Sequence, residues 1–145
     1  MIKVEISAIV NPTEDVEKVK DAILFISTVE LNLHSFGGVN RLSGEGGVEL
    51  LENLHTIFRN NQILDTARTR LNAGQQIDGT STEFILSKQV ATVEKLNFPV
   101  EEEPLGSIYV TIKADSKEEL ERVFNWLAPN TEKGIPIDEL DIECI

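Results

Sequence analysis

The chain begins with a strict alternation of hydrophobic and polar residues. Apolar side chains stand at every second position from Ile2 to Val10, and Lys3, Glu5 and Ser7 lie between them. This period of two predicts a strand with one buried face. We therefore expect one side of the strand to contact the core and the other to carry polar groups.

The pattern then changes to that of a helix. Asn11 is a good N-cap residue, Pro12 suits the first helical position, and Glu14 can reach back to the cap. Apolar residues continue at helical spacing to Ser27. The first helix is therefore expected to run from Pro12 to about Ser27.

The middle of the chain predicts two strands and a pair of helices. Alternation indicates a strand from Val29 to His34 and a shorter one from Val39 to Ser43. Apolar residues then follow a helical stripe as far as Phe58, and another helix is expected from Gln62 to Ala73. These two helices should form a hairpin with a very short turn.

The last part of the chain predicts extended segments followed by a helix. Thr82 to Val93 is expected to be extended, and Gly106 to Ala114 is expected to be a strand. The sequence from Ser116 to Glu119 forms a capping box that opens the last helix, which stops before Pro129. Residues 129–145 should form an acidic C-terminal tail packed on the rest of the protein.

The order of these elements predicts the fold class. The order is β-α-β-(β)-α-α-β-β-β-α, in which strands and helices do not alternate strictly and the connections between later strands are short. This order favours an α+β fold with a mainly antiparallel sheet packed by helices. The length of 145 residues suits a single domain that covers residues 1–145.

The charge of the chain restricts the choice of partner. A net charge of −12 disfavours the approach of phosphate backbones at long range. The charge is uneven, because four basic and three acidic residues from Asn53 to Thr92 give +1 and leave −13 for the rest. This central segment is either simply near neutral or contains a patch for an anionic partner.

The composition indicates a cytoplasmic protein. No apolar stretch approaches the roughly 18 residues of a membrane-spanning helix, and the N-terminus does not resemble a secretory signal. The single cysteine, Cys144, supports neither a disulfide framework nor a zinc site. We therefore expect no membrane partner.

The basic residues of the central segment are the candidate binding residues. On the helix from Gln62 to Ala73, Arg68 and Arg70 flank opposite sides of the apolar stripe. Guanidinium groups suit phosphates and carboxylates, so Arg59, Arg68 and Arg70 are candidates for an anion site. Alternatively, these arginines border a buried helix and pair with the surplus carboxylates.

Two more candidates, Lys88 and Gln89, interrupt an apolar run. On one straight strand, Lys88 would share a face with Phe84 and Leu86, which is costly for an unpaired lysine. A bulge or a strand break near Ser87 would relieve the conflict. Otherwise, Lys88 and Gln89 mark a site at the edge of the sheet.

No motif for catalysis, nucleotide binding or metal binding is visible. His34 and His55 lack a third metal ligand at suitable spacing, and no Ser, His and Asp have the spacing of a triad. We therefore predict no metal, no cofactor and no enzymatic activity. An enzyme that acts on a small anionic metabolite is the least favoured interpretation.

Five runs of residues are specific as a set, although each is weak alone. They are Asn11–Asp15, Arg59–Arg68, Phe84–Ala91, Pro104–Ile108 and Trp126–Thr131. Together they resemble the archaeal Uncharacterised Protein Family zero-two-zero-one over nearly the whole chain. The resemblance implies an α+β fold similar to that of ribosomal protein L-five, and it implies RNA binding.

The resemblance also selects among the candidate residues. Arg59, Arg68, Lys88 and Gln89 fall inside the matching runs and are candidate RNA-binding residues, whereas Arg70 lies just outside and rests on the residue pattern alone. Two functions remain open, namely an RNA- or ribonucleoprotein-associated binding module and a non-enzymatic protein-interaction or dimerising subunit. Convergence of the basic residues on one open face would favour RNA, and pairing with carboxylates would favour a protein partner.

Overall fold

The folded chain consists of a sheet and helices in an order close to the predicted one. A computed structural model describes residues 2–99, 101, 106–129, 131–132, 135–136 and 142. The strands are β1 (Lys3–Val10), β2 (Asn32–Phe36), β3 (Val39–Gly46), β4 (Ser81–Leu86), β5 (Ile108–Lys113), β6 (Thr131–Glu132) and β7 (Ile135–Pro136). The helices are α1 (Val16–Ile26), α2 (Glu52–Asn60), α3 (Leu64–Ala73), α4 (Lys88–Ala91) and α5 (Lys117–Leu127), with a short 3₁₀ helix (Val48–Leu51) before α2.

Strands β1 to β5 form one antiparallel sheet in the order β2-β3-β1-β5-β4. The central strand β1 pairs with β3 on one side and with β5 on the other. Strands β6 and β7 pair separately with each other. The predicted α+β class with a mainly antiparallel sheet is confirmed.

Alternation along the strands separates a covered face of the sheet from an open one. On β1, Val4, Ile6 and Ala8 are fully buried, whereas the residues between them are at least partly exposed. The buried strand residues share one core with buried residues of α1, α2, α3, α4 and α5. We call these helices the helix layer, and we call the opposite side of the sheet, which carries the odd-numbered residues of β1, the open face.

Helix α1 begins later than predicted. Its N-cap is Asp15, whose side chain accepts a hydrogen bond from the backbone N–H of Glu17. Asn11 instead begins a turn in which Glu14 Oε1 accepts hydrogen bonds from Asn11 N (3.0 Å) and Nδ2 (2.6 Å). The predicted start at Pro12 was wrong because this turn places Glu14 outside the helix, although the expected contact between Glu14 and Asn11 is present.

The segment from Thr82 to Val93 is not continuously extended, so that prediction was wrong. β4 ends at Leu86, and Ser87 caps α4 by accepting a hydrogen bond from Val90 N at 3.4 Å. The alternative of a strand break near Ser87 is confirmed. The break carries Lys88 off the sheet, and its side chain therefore avoids the apolar face of β4.

Other boundaries differ by a few residues. β2 starts at Asn32, β3 extends to Gly46, and α3 starts at Leu64 because Gln62 adopts a left-handed conformation (φ 56°) that a helix does not accommodate. The capping box is confirmed, since the Ser116 side chain accepts a hydrogen bond from Glu119 N at 3.1 Å. Most of the predicted acidic tail, residues 129–145, lies outside the described residues.

Candidate functional site

Arg59, on α2, contacts the end of α5. Its Nη1 donates to the carbonyl oxygens of His55 (2.9 Å) and Leu127 (3.2 Å), and its Nη2 donates to the carbonyl oxygen of Trp126 (3.0 Å). The last carbonyls of a helix have no intrahelical donor, and a nearby cation also opposes the negative end of the helix dipole. Arg59 therefore joins α2 to α5 and stabilises the C-terminus of α5.

Arg68, on α3, contacts the same end of α5. Its Nη1 donates to Asn125 Oδ1 (2.8 Å) and to the carbonyl oxygen of Ala128 (3.3 Å), and its guanidinium carbon lies 5.7 Å from the centre of the Phe124 ring. Burial lowers the pKa of the Arg68 guanidinium, against the opposing effect of the Glu121 charge. Arg68 thus acts with Arg59 as a cap for α5.

Lys88 lies at another corner of the protein, in a fully buried position. The residue is 1% exposed, and its Nζ donates to the carbonyl oxygen of Ile9 (2.8 Å) and to Glu14 Oε1 (2.8 Å). Burial alone would raise the pKa of Glu14, but hydrogen bonds from Lys88 and Asn11 outweigh it, and the pKa is lowered. The Lys88–Glu14 ion pair therefore joins α4 to the connection between β1 and α1.

The remaining predicted residues do not complete a common site. Arg70 is partly exposed at the end of α3, beside Gly74 and the edge strand β4, and Gln89 is exposed on α4. Arg59 and Arg68 therefore meet at the end of α5, whereas Arg70, Lys88 and Gln89 lie elsewhere. The five predicted residues do not converge on one open face. The hydrogen bonds described for Arg59 and Arg68 go to carbonyl and amide oxygens, and the predicted pairing with surplus carboxylates stays an alternative. Their role in RNA binding stays a prediction.

A different set of polar side chains meets on the open face of the sheet. The strand register places Arg41 on β3 directly between Ile9 on β1 and His34 on β2. Tyr109 on β5 lies opposite Ser7. These residues are exposed or partly exposed, and a shallow groove of about 560 Å³, lined by Ser7, His34 and Arg41 among others, crosses this face.

Arg41 differs from the arginines of the helix layer in its lack of partners. It is exposed, and no carboxylate of the described residues lies within ion-pair distance of it. Nor does its side chain make a hydrogen bond within the described part of the chain. Its guanidinium is therefore available to an external anion.

Carboxylates are also present on the open face, but lysines neutralise several of them. Lys3 Nζ lies 3.4 Å from Glu5 Oε1 and 3.2 Å from Glu45 Oε2, and Lys113 Nζ lies 3.6 Å from Glu5 Oε1. The hydrogen bonds and charges of these two carboxylates raise the pKa of Lys3. Lys3, Arg41 and Lys113 share this face with Glu5, Glu45 and Glu83, and Glu30 lines the groove. The open face therefore has a net charge of about −1 in a chain of net charge −12.

The residues of the open face were missed by the sequence reasoning. Arg41 lies in a strand that alternation did indicate, and Tyr109 is the only tyrosine of the chain. Alternation alone could have placed both on one face of their strands, but the pairing of β3 and β5 on either side of β1 was not visible in it. Alternation therefore predicted the exposed side of each strand, but it did not predict that these residues lie close together.

The described residues were also compared with the requirements of a metal site and of a membrane-spanning helix. No group of three or more His, Cys, Asp or Glu residues in that part of the chain is arranged to hold a metal ion. No helix in it is both long enough and apolar enough to cross a membrane.

Comparison with known proteins places the chain in a family. A family model described as RNA binding matches residues 3–114. A UPF0201 protein of Methanosarcina acetivorans is 42% identical over 156 residues, which covers 100% of this chain and 95% of that protein. The chain belongs to the UPF0201 family. The predicted resemblance to this archaeal family is therefore confirmed.

Other UPF0201 proteins agree in sequence and in fold. A UPF0201 protein of Pyrococcus horikoshii is 40% identical over 138 residues, with 94% of this chain and 96% of that protein covered. The crystal structure of a UPF0201 protein from Methanococcus jannaschii has a TM-score of 0.82 and 35% identity, and covers 94% of this chain and 99% of that one. The fold described above is thus similar to that of an experimentally determined member of the UPF0201 family.

Proposed function

We propose that this protein binds RNA through the open face of its sheet, as an RNA- or ribonucleoprotein-associated module without a catalytic step. The family model described as RNA binding supports the choice of ligand. The choice of surface is carried by one observation, which is that Arg41 stands on this face without a partner among the described residues. A free guanidinium in a near-neutral surface is suited to a phosphate group.

The side chains around Arg41 suit a single strand of RNA. His34 lies directly across from Arg41 and can donate to a phosphate or stack on a base. Tyr109 presents a partly exposed ring between Ser7 and Ile85, its neighbours on the adjacent strands. Aromatic side chains on an open sheet bind unpaired bases by stacking, which tolerates many sequences.

The helix layer is less suited to RNA. The donors of Arg59 and Lys88 already serve carbonyl oxygens and the Glu14 carboxylate. Most of the surplus negative charge lies outside the open face, and such a surface repels phosphates. The family resemblance implies a fold similar to that of ribosomal protein L-five, and this fold similarity is part of the same proposal.

The first test is a titration of the purified protein against a labelled RNA pool of mixed sequence at low and at moderate salt. Arg41→Ala should weaken binding and reduce the slope of log affinity against log salt by about 0.7 for each lost phosphate contact on single-stranded RNA. The matched control is Arg122→Ala, which removes the same charge from an exposed position on α5. If both variants lose the same affinity, the open face is not the binding surface.

Further variants test base stacking on Tyr109 and the contribution of Arg70, which was predicted from the sequence. Tyr109→Ala should lower affinity by about 1–3 kcal/mol for each base that stacks on the ring, whereas Tyr109→Phe should retain most of it. Arg70→Ala tests the sequence-predicted residue that is partly exposed and should leave affinity unchanged. No binding by the unaltered protein at low salt would end the RNA proposal.

A further inference from the structure

The two edges of the sheet differ in how well they are covered. At the β4 edge, Gln76 N donates to the carbonyl oxygen of Ser81 (2.8 Å), and Glu83 N donates to that of Gly74 (3.1 Å). The approach is so close that a Cβ atom on Gly74 would meet the carbonyl oxygen of Glu83 at 1.8 Å. The segment after α3 therefore occupies outer hydrogen-bonding groups of Ser81 and Glu83 on β4.

The β2 edge has no such cover in the described part of the chain, where β2 pairs with β3 alone. The two strands are joined by a two-residue turn, Gly37 and Gly38, both with positive φ (59° and 80°). The residues that flank this turn form a hydrogen-bonded pair, and such pairs alternate along an antiparallel ladder. Leu33 and Ser35 consequently direct their backbone N–H and C=O groups outwards.

This free edge also lacks the features that usually prevent strand pairing. β2 contains no proline, lysine or carboxylate, and its register with β3 has no bulge. Leu33 is 51% exposed and Val39, at the other side of the hairpin, is 50% exposed. An uncharged strand with free hydrogen-bonding groups and exposed apolar side chains is suited to pairing with another strand.

We propose that β2 pairs antiparallel with β2 of a second copy of this chain. In the antiparallel register centred on His34, His34 lies opposite His34 of the second copy. Leu33 then lies opposite Ser35 of the second copy. In this register the outward N–H and C=O groups of Leu33 and Ser35 all find partners across a two-fold axis. The two five-stranded sheets join into one continuous sheet.

Electrostatic repulsion between two copies should be weaker at the β2 edge than at most other surfaces of the protein. With a net charge of −12, most surfaces would bring carboxylates together when two copies meet. The strand Asn32–Phe36 carries no carboxylate, so this edge allows two copies to approach without that repulsion. A symmetric contact also needs a strand that is complementary to itself, which the register about His34 provides.

The pairing has a consequence for RNA that rests on the proposed function. His34 and Arg41 are neighbours on the open face, next to the edge that would form the junction. Two copies would therefore place two such pairs side by side in the middle of a continuous open face. Each copy supplies one of the two unpartnered arginines, and together they bind phosphates of one RNA strand more strongly than either alone.

The test is the molar mass by sedimentation over a range of protein concentrations. The unaltered chain should approach twice its mass of 16.1 kDa. Ser35→Pro should sediment as a single chain, because it removes an outward N–H and leaves the ladder with β3 intact. The control Ser35→Ala removes the hydrogen bond from Ser35 Oγ to Asn40 Oδ1 (2.5 Å) but keeps the N–H, and should remain dimeric.

A second variant guards against misfolding of Ser35→Pro. Leu33→Lys places a charge on the edge without altering the backbone, and it should also give single chains with an unchanged circular dichroism spectrum. A single-chain mass for the unaltered protein at all concentrations would overturn the proposal. So would a dimer that persists in Leu33→Lys, or an equal loss of the dimer in Ser35→Ala.

RNA titrations of the same variants distinguish failure of this inference from failure of the proposed function. Arg41→Ala should remain dimeric while losing RNA affinity, and Ser35→Pro should bind RNA at least tenfold more weakly than the unaltered chain. A dimer that binds no RNA would refute the RNA proposal and leave the pairing of β2 intact. Equal RNA affinity for Ser35→Pro and the unaltered chain would refute the joint RNA surface.

Discussion

Two sets of cationic side chains in this protein have opposite environments. In the helix layer, Arg59, Arg68 and Lys88 donate to carbonyl oxygens, an amide oxygen or a carboxylate, and they join elements that are distant in sequence. On the open face, Arg41 is exposed and has no partner among the described residues. A basic residue in an acidic chain therefore indicates a binding site only if its donors are not already occupied by acceptors within the protein.

The comparison predicts that the two sets respond differently to substitution. Removal of a partner in the helix layer should cost stability, because buried polar groups then lose their hydrogen bonds. Removal of Arg41 should cost binding and leave stability unchanged.

The largest loss is expected for Glu14→Gln, which removes the carboxylate that pairs with the buried Lys88 at 2.8 Å. The breaking of a buried ion pair by removal of one partner costs about 3–5 kcal/mol. The free energy of unfolding from urea titrations measures this loss. Glu17→Gln, an exposed position on α1, is the control and should change it by less than about 0.5 kcal/mol; equal effects of the two variants would show that the pair is not important.

Arg59→Ala should reduce stability by about 2–3 kcal/mol, since the carbonyl oxygens of Trp126 and Leu127 lose a charged donor. Arg59→Lys keeps the charge but lacks the planar guanidinium that contacts several carbonyl oxygens at once. Its loss of unfolding free energy should therefore be intermediate. Thermal unfolding followed by circular dichroism gives the order of the three proteins. A stability of Arg59→Ala within error of the unaltered protein would contradict the capping role.

A smaller effect should follow the titration of Glu14. Its pKa in the folded protein is below the ordinary value of 4.5, so its contribution to stability is present above that value and is lost as the pH falls through the lowered pKa. The unfolding free energy should therefore decrease more steeply with falling pH in the unaltered protein than in Glu14→Gln. Parallel pH profiles of the two proteins below about pH 5 would exclude this contribution.

The smallest change in stability is expected for Arg41→Ala. Loss of an exposed side chain without internal partners should alter the free energy of unfolding by less than about 0.5 kcal/mol, while RNA affinity falls. Urea titration and RNA titration of one sample measure both quantities. A loss of stability comparable to that of Arg59→Ala would place Arg41 with the residues of the helix layer and remove the basis of the comparison.

The sequence predicted much of the fold because local patterns carry that information. Alternation on β1 and the capping box at Ser116 depend on neighbouring residues, and both were confirmed. The start of α1 was wrong because Asn11 and Glu14 form a turn that is joined to Lys88, a residue far along the chain. The strand break at Ser87 was foreseen as an alternative from the conflict between a lysine and an apolar face.

The candidate site was harder to predict for the same physical reason. The sequence left open whether Arg59 and Arg68 bind an external anion or pair with surplus carboxylates. The carbonyl oxygens that they contact lie at the end of α5, 60 to 68 residues further along the chain. Arg41 was not among the predicted residues, because alternation along Val39 to Ser43 does not show whether its side chain has a partner. Partners that are distant in sequence determine whether a charged side chain is occupied, and hydrophobic periodicity contains no information about them.

The sequence by itself determined the class of fold, its family and its strongly acidic charge, because composition, local periodicity and short runs of residues are sufficient for these. Only the tertiary structure decided which cations are internal and which are free, since that depends on where the C-terminus of α5 and the β1–α1 turn come to lie. It also decided that the segment after α3 lies against the β4 edge, whereas the β2 edge has no neighbouring segment among the described residues. Hydrogen-bonding groups on a strand become partners or free groups only when the neighbouring segments are placed beside them.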